Sequence, residues 1–117
     1  MKSILVVDDE KKMRSLYRDT LEAEGYRVLE ADSADHANEM LKRAEPDLVL
    51  LDLRMPEVDG GTMYDVMQMF HRKVKVIVNS AFPVEEQKRR VRGAVDYNDK
   101  AEGPDKLLEK IRHALSS

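Results

Sequence analysis

The chain has 117 residues, of which 42% are hydrophobic and 37% charged, with a formal net charge of −3. That size makes one domain, expected over residues 1–117, with enough chain to build a core, and the composition excludes a disordered tail and a fibrous repeat. The chain has no cysteine, which excludes disulfides, thiolate metal sites and cysteine nucleophiles, and its longest apolar runs, residues 4–7 and 48–51, are far too short to span a membrane.

Apolar periodicity alternates between two types along the chain. Residues 3–7 (SILVV) read as a short buried strand. Residues 10–24 read as a helix with Met13, Leu16, Tyr17, Thr20 and Leu21 inward, stopped by Gly25. Residues 26–30 alternate apolar and polar, the pattern of a half-exposed edge strand. Ser33 is placed to cap a helix whose inner face is Ala34, Ala37, Leu41 and Ala44, and Pro46 ends it. Residues 48–51 are apolar at every position, as in a central strand covered on both faces.

Residues 53–60 (LRMPEVDG) read as a loop from their Pro, Asp and Gly content. Residues 62–70 predict a helix with Met63, Val66, Met67 and Phe70 inward, and residues 74–78 a strand. A helix over residues 85–92 follows Pro83, and a short strand covers residues 95–97. Pro104 suits the first turn of a last helix carrying Leu107, Leu108, Ile111 and Leu115. Strand–helix alternation at this spacing predicts an α/β fold: a parallel sheet, doubly wound, with helices on both faces.

In such sheets ligands bind at the carboxyl ends of the strands, where the strand order reverses. The first strand ends in Asp8 and Asp9, the third in Asp52, the fourth in Asn79 and Ser80, and Lys100 follows the fifth. Any one of these acids is ordinarily a turn or cap residue. Three carboxylates on one rim repel one another unless a cation is present, and hard oxygen ligands suit Mg²⁺. A lysine and a serine hydroxyl opposite them supply the positive charge and the donor that a phosphoryl group needs. Asp52 is then the natural nucleophile, because a carboxylate can accept a phosphoryl group as an acyl phosphate.

The chain resembles the receiver domains of bacterial two-component response regulators. The resemblance is carried by VVDDE (residues 6–10), LLDLRMPEVDG (50–60), NSA (79–81) and GAVDYNDK (93–100), and it covers essentially the whole chain. It implies a flavodoxin-like sheet of order 2-1-3-4-5. It implies that Asp52 is phosphorylated by a phosphohistidine on a sensor histidine kinase or phosphotransfer protein. Asp9, Asp52 and the backbone carbonyl of Arg54 would bind Mg²⁺, and Asp8 would hold a metal-bound water. Ser80 and Lys100 would contact the phosphoryl group. Ser80 and Tyr97 would form the switch that reshapes the face of the fourth helix, fifth strand and fifth helix. Arg54 and Phe82 would border the site, and a bulky Phe82 would limit water access to it. The family is not enzymatic beyond assisting its own phosphorylation and dephosphorylation, and its members often pair through that same face, so a homodimer is one expectation. The alternative is a degenerate receiver that acts as a constitutive protein-binding module.

Three departures from the family pattern fall near the fifth strand. Ala101 follows Lys100 where the family has proline, so a trans bond is expected there, which leaves the aim of Lys100 open. The stretch between Ser80 and Lys100 is short, which predicts an abbreviated fourth helix. Asn98 and Asp99 stand where the family tends to be apolar, which predicts a brief or frayed strand.

The charge is unevenly spread: residues 1–60 hold 9 Lys+Arg against 15 Asp+Glu, and residues 61–117 hold 11 against 8. Lys88, Arg89, Arg90 and Arg92 form a basic run that reads as a solvated helical face. The acidic balance argues against nucleic-acid binding. His36, His71 and His113 show no ligand spacing and read as surface residues, with His71 placed as a charge at a helix C-terminus, and Met69 as an outward residue. The apolar run ending at Asp8 is too short for a signal peptide, so the expected address is the cytoplasm.

Overall fold

The computed structural model describes residues 1–54, 60–70 and 73–116, without the side chains of Gly60 and Phe70. The Met-Pro…Asp segment of the residue 53–60 loop, the inward placement of Phe70 and the expected role of His71 lie outside the described residues. The elements run β1 (Ser3–Val7), α1 (Lys11–Ala23), β2 (Arg27–Ala31), α2 (Ala34–Arg43), β3 (Leu48–Leu51), α3 (Gly60–Phe70), β4 (Lys75–Ser80), α4 (Val84–Arg90), β5 (Asp96–Asp99) and α5 (Pro104–Leu115). The strands form one parallel sheet in the order β2-β1-β3-β4-β5.

Strand alternation sorts the apolar residues into two layers. Leu5, Val7, Val49, Leu51, Val76 and Val78 pack with residues of α2 and α3 and with Val91. Ile4, Val6, Leu48, Leu50 and Ile77 pack with Tyr17 and Leu21 of α1 and with Leu107, Leu108 and Ile111 of α5. Every residue of β3 is buried, as its unbroken apolar run predicts. Edge strand β2 is mostly half-exposed. Gly25 ends α1 at φ +91, a conformation that disfavours any side chain. Ser33 accepts the His36 N–H at 3.1 Å at the start of α2.

Several boundaries and faces differ from the sequence reading. Strand β2 starts and ends one residue later than read. Helix α3 starts at Gly60, ahead of the expected Thr62, and its inner face includes Tyr64. Leu16, counted inward, is 50% exposed, because it lies at the flank of a stripe centred on Met13, Tyr17 and Leu21. Helix α4 is short, as expected, but spans Val84–Arg90, with Val91 turned into the core. Strand β5 is short, as expected, but spans Asp96–Asp99 rather than residues 95–97. It runs through Asn98, which is buried and donates from Nδ2 to Asn79 Oδ1 at 2.9 Å. On this edge strand Lys110 Nζ donates to the Tyr97 carbonyl at 2.7 Å. Polar partners replace the apolar contacts such a strand would otherwise need. Met69 is exposed, as expected, as are His36 and His113.

The Ser33 cap generates a direct test. Ser33→Ala should cost about 1 kcal/mol and Ser33→Gly only a few tenths, read as the shift in urea midpoint at constant m-value. Equal losses in the two variants would show that the cap contributes little.

Candidate functional site

Strand register builds the site. Val7 pairs with Leu51, so the residues that follow them, Asp8 and Asp52, emerge side by side where strand order reverses between β1 and β3. The Asp8 N–H donates to the Ala31 carbonyl at 3.1 Å and the Asp52 N–H to the Val7 carbonyl at 3.0 Å, which holds both one step beyond their strands. Their side chains lie on the sheet face covered by α1 and α5, opposite in parity to Val7 and Leu51.

Each of the two carboxylates is held at both oxygens. Asp8 Oδ1 accepts the Glu10 N–H at 2.9 Å and Asp52 Oδ1 accepts the Arg54 N–H at 3.1 Å. Lys100 Nζ donates to Asp8 Oδ2 at 2.7 Å and to Asp52 Oδ2 at 3.0 Å. All three side chains are nearly covered, at 2%, 4% and 12% exposure for Asp8, Asp52 and Lys100. No described peptide bond is cis, and Lys100 reaches both acids from the 3₁₀ turn Lys100–Glu102. Asp9 is exposed, and one carboxylate oxygen from each of Asp8, Asp9 and Asp52 lies within 4.8 Å of the others.

Burial acts differently on the two signs of charge here. Burial is the strongest influence on Asp52 and raises its pKa above the ordinary aspartate value; the Arg54 N–H and Lys100 oppose it without cancelling it. Burial also weighs most on Lys100, in the lowering direction, but its hydrogen bonds and charge contacts with Asp8 and Asp52 together outweigh it, and the pKa is raised. The lysine has two anions to itself, whereas Asp52 shares one cation with Asp8. Three carboxylates and one ammonium leave a formal charge of −2 in a set of hard oxygen donors. That charge and chemistry fit one divalent cation of the Mg²⁺ type.

The remaining expected residues are placed around this centre. Ser80 is fully buried at the end of β4, and its Oγ accepts the Phe82 N–H at 3.3 Å. Tyr97 is half-buried and its hydroxyl donates to the Val91 carbonyl at 2.5 Å, on the side of α4. Two guanidinium groups lie over the Phe82 ring, Arg54 at 4.8 Å and Arg90 at 4.2 Å from its centroid. The structure therefore brings Asp8, Asp9, Asp52 and Lys100 into one cluster, and joins Arg54 to Phe82. Ser80 and Tyr97 bond to backbone groups outside that cluster.

Several participants went unread in the sequence. Tyr17, counted only as a core residue of α1, has a raised pKa whose largest cause is burial, with Asn79 acting in the opposite direction. Asn98 joins Asn79, and buried Gln87 donates to the Asn98 and Phe82 carbonyls at 2.9 and 2.8 Å. The signal for Gln87 was present: residues 84, 87 and 91 fall on one helical stripe between valines. Arg90 belongs to the basic run read as solvated; it is exposed yet stacks on Phe82.

Comparison with known proteins gives a consistent result. The family model for the response regulator receiver domain matches residues 4–112. The polar-differentiation response regulator DivK of Brucella ovis is 30% identical, across 97% of this chain and 96% of its own. The response regulator TrrA of Thermotoga maritima, solved in complex with Mg²⁺–BeF, is 31% identical with a TM-score of 0.90, covering 97% of this chain and 99% of that one. A CheY-like receiver domain protein of Methanospirillum hungatei superposes with a TM-score of 0.92 at 28% identity, over 99% of this chain and 94% of that one.

The raised pKa of Asp52 has a consequence for stability. The native state holds this proton more tightly than the unfolded chain does, so the ionised carboxylate weakens the fold above its native pKa. In metal-free buffer at pH 7, Asp52→Asn should therefore unfold at higher urea than the wild type. The advantage should shrink as pH falls through the native pKa of Asp52 and vanish below the ordinary value of 3.8. A less stable Asp52→Asn at pH 7 would contradict this electrostatic account.

Proposed function

The chain belongs to the response regulator receiver family of two-component signalling, and on that premise we propose that residues 1–117 act as a phosphoacceptor whose acceptor is Asp52. The observation that carries the reading is the sharing of one buried ammonium, Lys100, by Asp8 and Asp52, with Asp9 in reach of both. Receiver domains are signalling modules rather than enzymes in their own right.

The donor in this reading is a phosphohistidine on a sensor kinase or phosphotransfer protein. An Asp52 carboxylate oxygen attacks phosphorus, the P–N bond breaks, and its electron pair leaves with the imidazole, which takes up a proton. Asp52 is held for this attack by the Arg54 N–H on one oxygen. Its other oxygen faces Lys100, whose ammonium can move from the carboxylates to the arriving phosphoryl oxygens. Asp8, Asp9 and Asp52, with the backbone carbonyl of Arg54, would hold Mg²⁺, which supplies positive charge against the phosphoryl oxygens. Ser80 gives up the Phe82 N–H and turns its hydroxyl toward the new phosphoryl group, and Tyr97 leaves the Val91 carbonyl. The face of α4, β5 and α5 then changes, and a protein target reads that change. Among the described residues no helix is long and apolar enough to cross a membrane, and a cytoplasmic address goes with this reading.

The test uses acetyl phosphate and Mg²⁺. The chain should form an acid-stable, alkali-labile adduct that Asp52→Asn does not form. Mg²⁺ alone, at about 100 times its Kd, should stabilise the wild type by about 2.7 kcal/mol, and Asp9→Asn should lose most of that gain. Metal binding without any adduct would favour a constitutive protein-binding module instead. In this reading Phe82, whose ring meets Arg54 and Arg90, limits water access to the site, so Phe82→Ala should speed loss of the adduct by roughly tenfold, about 1.4 kcal/mol of barrier. An unchanged rate would remove Phe82 from the mechanism.

A further inference from the structure

The site just described gives no role to the buried polar side chains Asn79, Asn98 and Gln87, and of these Gln87 reaches the most elements. Gln87, in α4, is fully buried. Its Nε2 lies 2.8 Å from the Phe82 carbonyl, 2.9 Å from the Asn98 carbonyl and 3.4 Å from the Ser80 carbonyl. A primary amide has two protons. The two short contacts occupy them, and the Ser80 carbonyl shares at the limit of distance. These acceptors belong to separate elements: Ser80 and Phe82 to the end of β4 and its following loop, Asn98 to β5 beside Tyr97. One amide on the helix therefore fastens the segment that carries Ser80 to the strand that carries Tyr97.

Other contacts complete the unit. Arg90, near the end of α4, stacks on the Phe82 ring, and the Tyr97 hydroxyl donates to the carbonyl of Val91 at the end of the helix. Packing alone does not account for a glutamine here. Position 87 lies on the same stripe as Val84 and Val91, where an apolar residue would serve. Instead Gln87 Oε1 and Asn98 Oδ1 are both buried without a hydrogen-bond partner. Unpaired buried acceptors weaken a fold, so the amide is retained at a cost, and what it makes in return is the link between loop and strand.

We propose that Gln87 is a positioning residue that transmits the displacement of Ser80 to α4 and β5, a role that rests on Asp52 being the phosphoacceptor. When Ser80 turns toward a phosphoryl group on Asp52, its bond to the Phe82 N–H is lost and the loop shifts. The Phe82 carbonyl moves with it. The Gln87 amide, held by that carbonyl and by Asn98, carries the helix and the strand along. An apolar side chain of the same size fills the space and transmits nothing.

The experiment follows backbone and side-chain amide resonances of the ¹⁵N-labelled chain before and after acetyl phosphate and Mg²⁺. In the wild type, the amides of Ser80, residues 84–90 and residues 96–99, and the side-chain NH₂ of Gln87, should move together as the adduct forms. Gln87→Met keeps the unbranched shape and removes both donors. It should still form the adduct and still move Ser80, while the shifts over residues 84–90 and 96–99 fall by about half or more. Shifts of wild-type size in α4 and β5 of Gln87→Met, with the adduct and the Ser80 response intact, would overturn the proposal and leave the phosphoacceptor reading standing. No adduct in the wild type would overturn both. If Gln87→Met does not fold, the wild-type side chain decides: movement of the Gln87 NH₂ resonances with the adduct supports the link, and resonances that stay in place overturn it.

Discussion

One buried ammonium between two carboxylates organises the functional end of this molecule. Asp8 and Asp52 are brought together by parallel pairing of β1 and β3, and like charges at that spacing would separate or take up protons without a counter-ion. Lys100 answers both, from a turn that follows the last strand. The contact closes a path from the first strand to the fifth, across the full order of the sheet from β1 outward. The backbone N–H groups of Glu10 and Arg54 take the remaining oxygens, so both acids have a partner at each oxygen.

That arrangement carries an electrostatic cost. Asp52 is charged where burial disfavours charge, and the local formal balance remains −2 even with Lys100 in place. A divalent cation held there would relieve that imbalance. The same logic extends to the polar residues beneath and beside it. Tyr17, Asn79, Asn98 and Gln87 run through a region where a stable core would be apolar, and two of their oxygens remain unpaired.

Polar links also distinguish the α4 side of the fold from the rest. Helices α1 and α5 bury mainly aliphatic residues against Ile4, Val6, Leu50 and Ile77, and α5 adds the bond from Lys110 to the Tyr97 carbonyl. Helix α4 buries one glutamine, with Val91 buried just after it, and is tied to its neighbours by directed bonds from Gln87 and Tyr97 and by the stacking of Arg90. Directed bonds fix the relative placement of the elements they join. The basic run on α4 is therefore not uniform: Arg90 is bound up with the site, while Lys88 and Arg89 face solvent.

The fold and the acidic centre were legible in the amino-acid order, because both depend on local pattern. Unbroken apolar runs mark covered strands, and the stops at Gly25 and Pro46, the Ser33 cap and Pro104 in a first turn mark helix ends. An acid directly after such a strand must stand at its carboxyl end, so Asp8, Asp9 and Asp52 could be placed on one rim from sequence. The tertiary structure decided the rest. Whether Lys100 reaches the acids depends on the path of a short 3₁₀ turn. Whether Asn98 frays a strand or completes it depends on Asn79, 19 positions away, and Gln87 takes its partners from two other elements. Periodicity records which face of an element is covered. It does not record which distant donor or acceptor will meet a buried polar group, and that pairing exists only once the elements are packed.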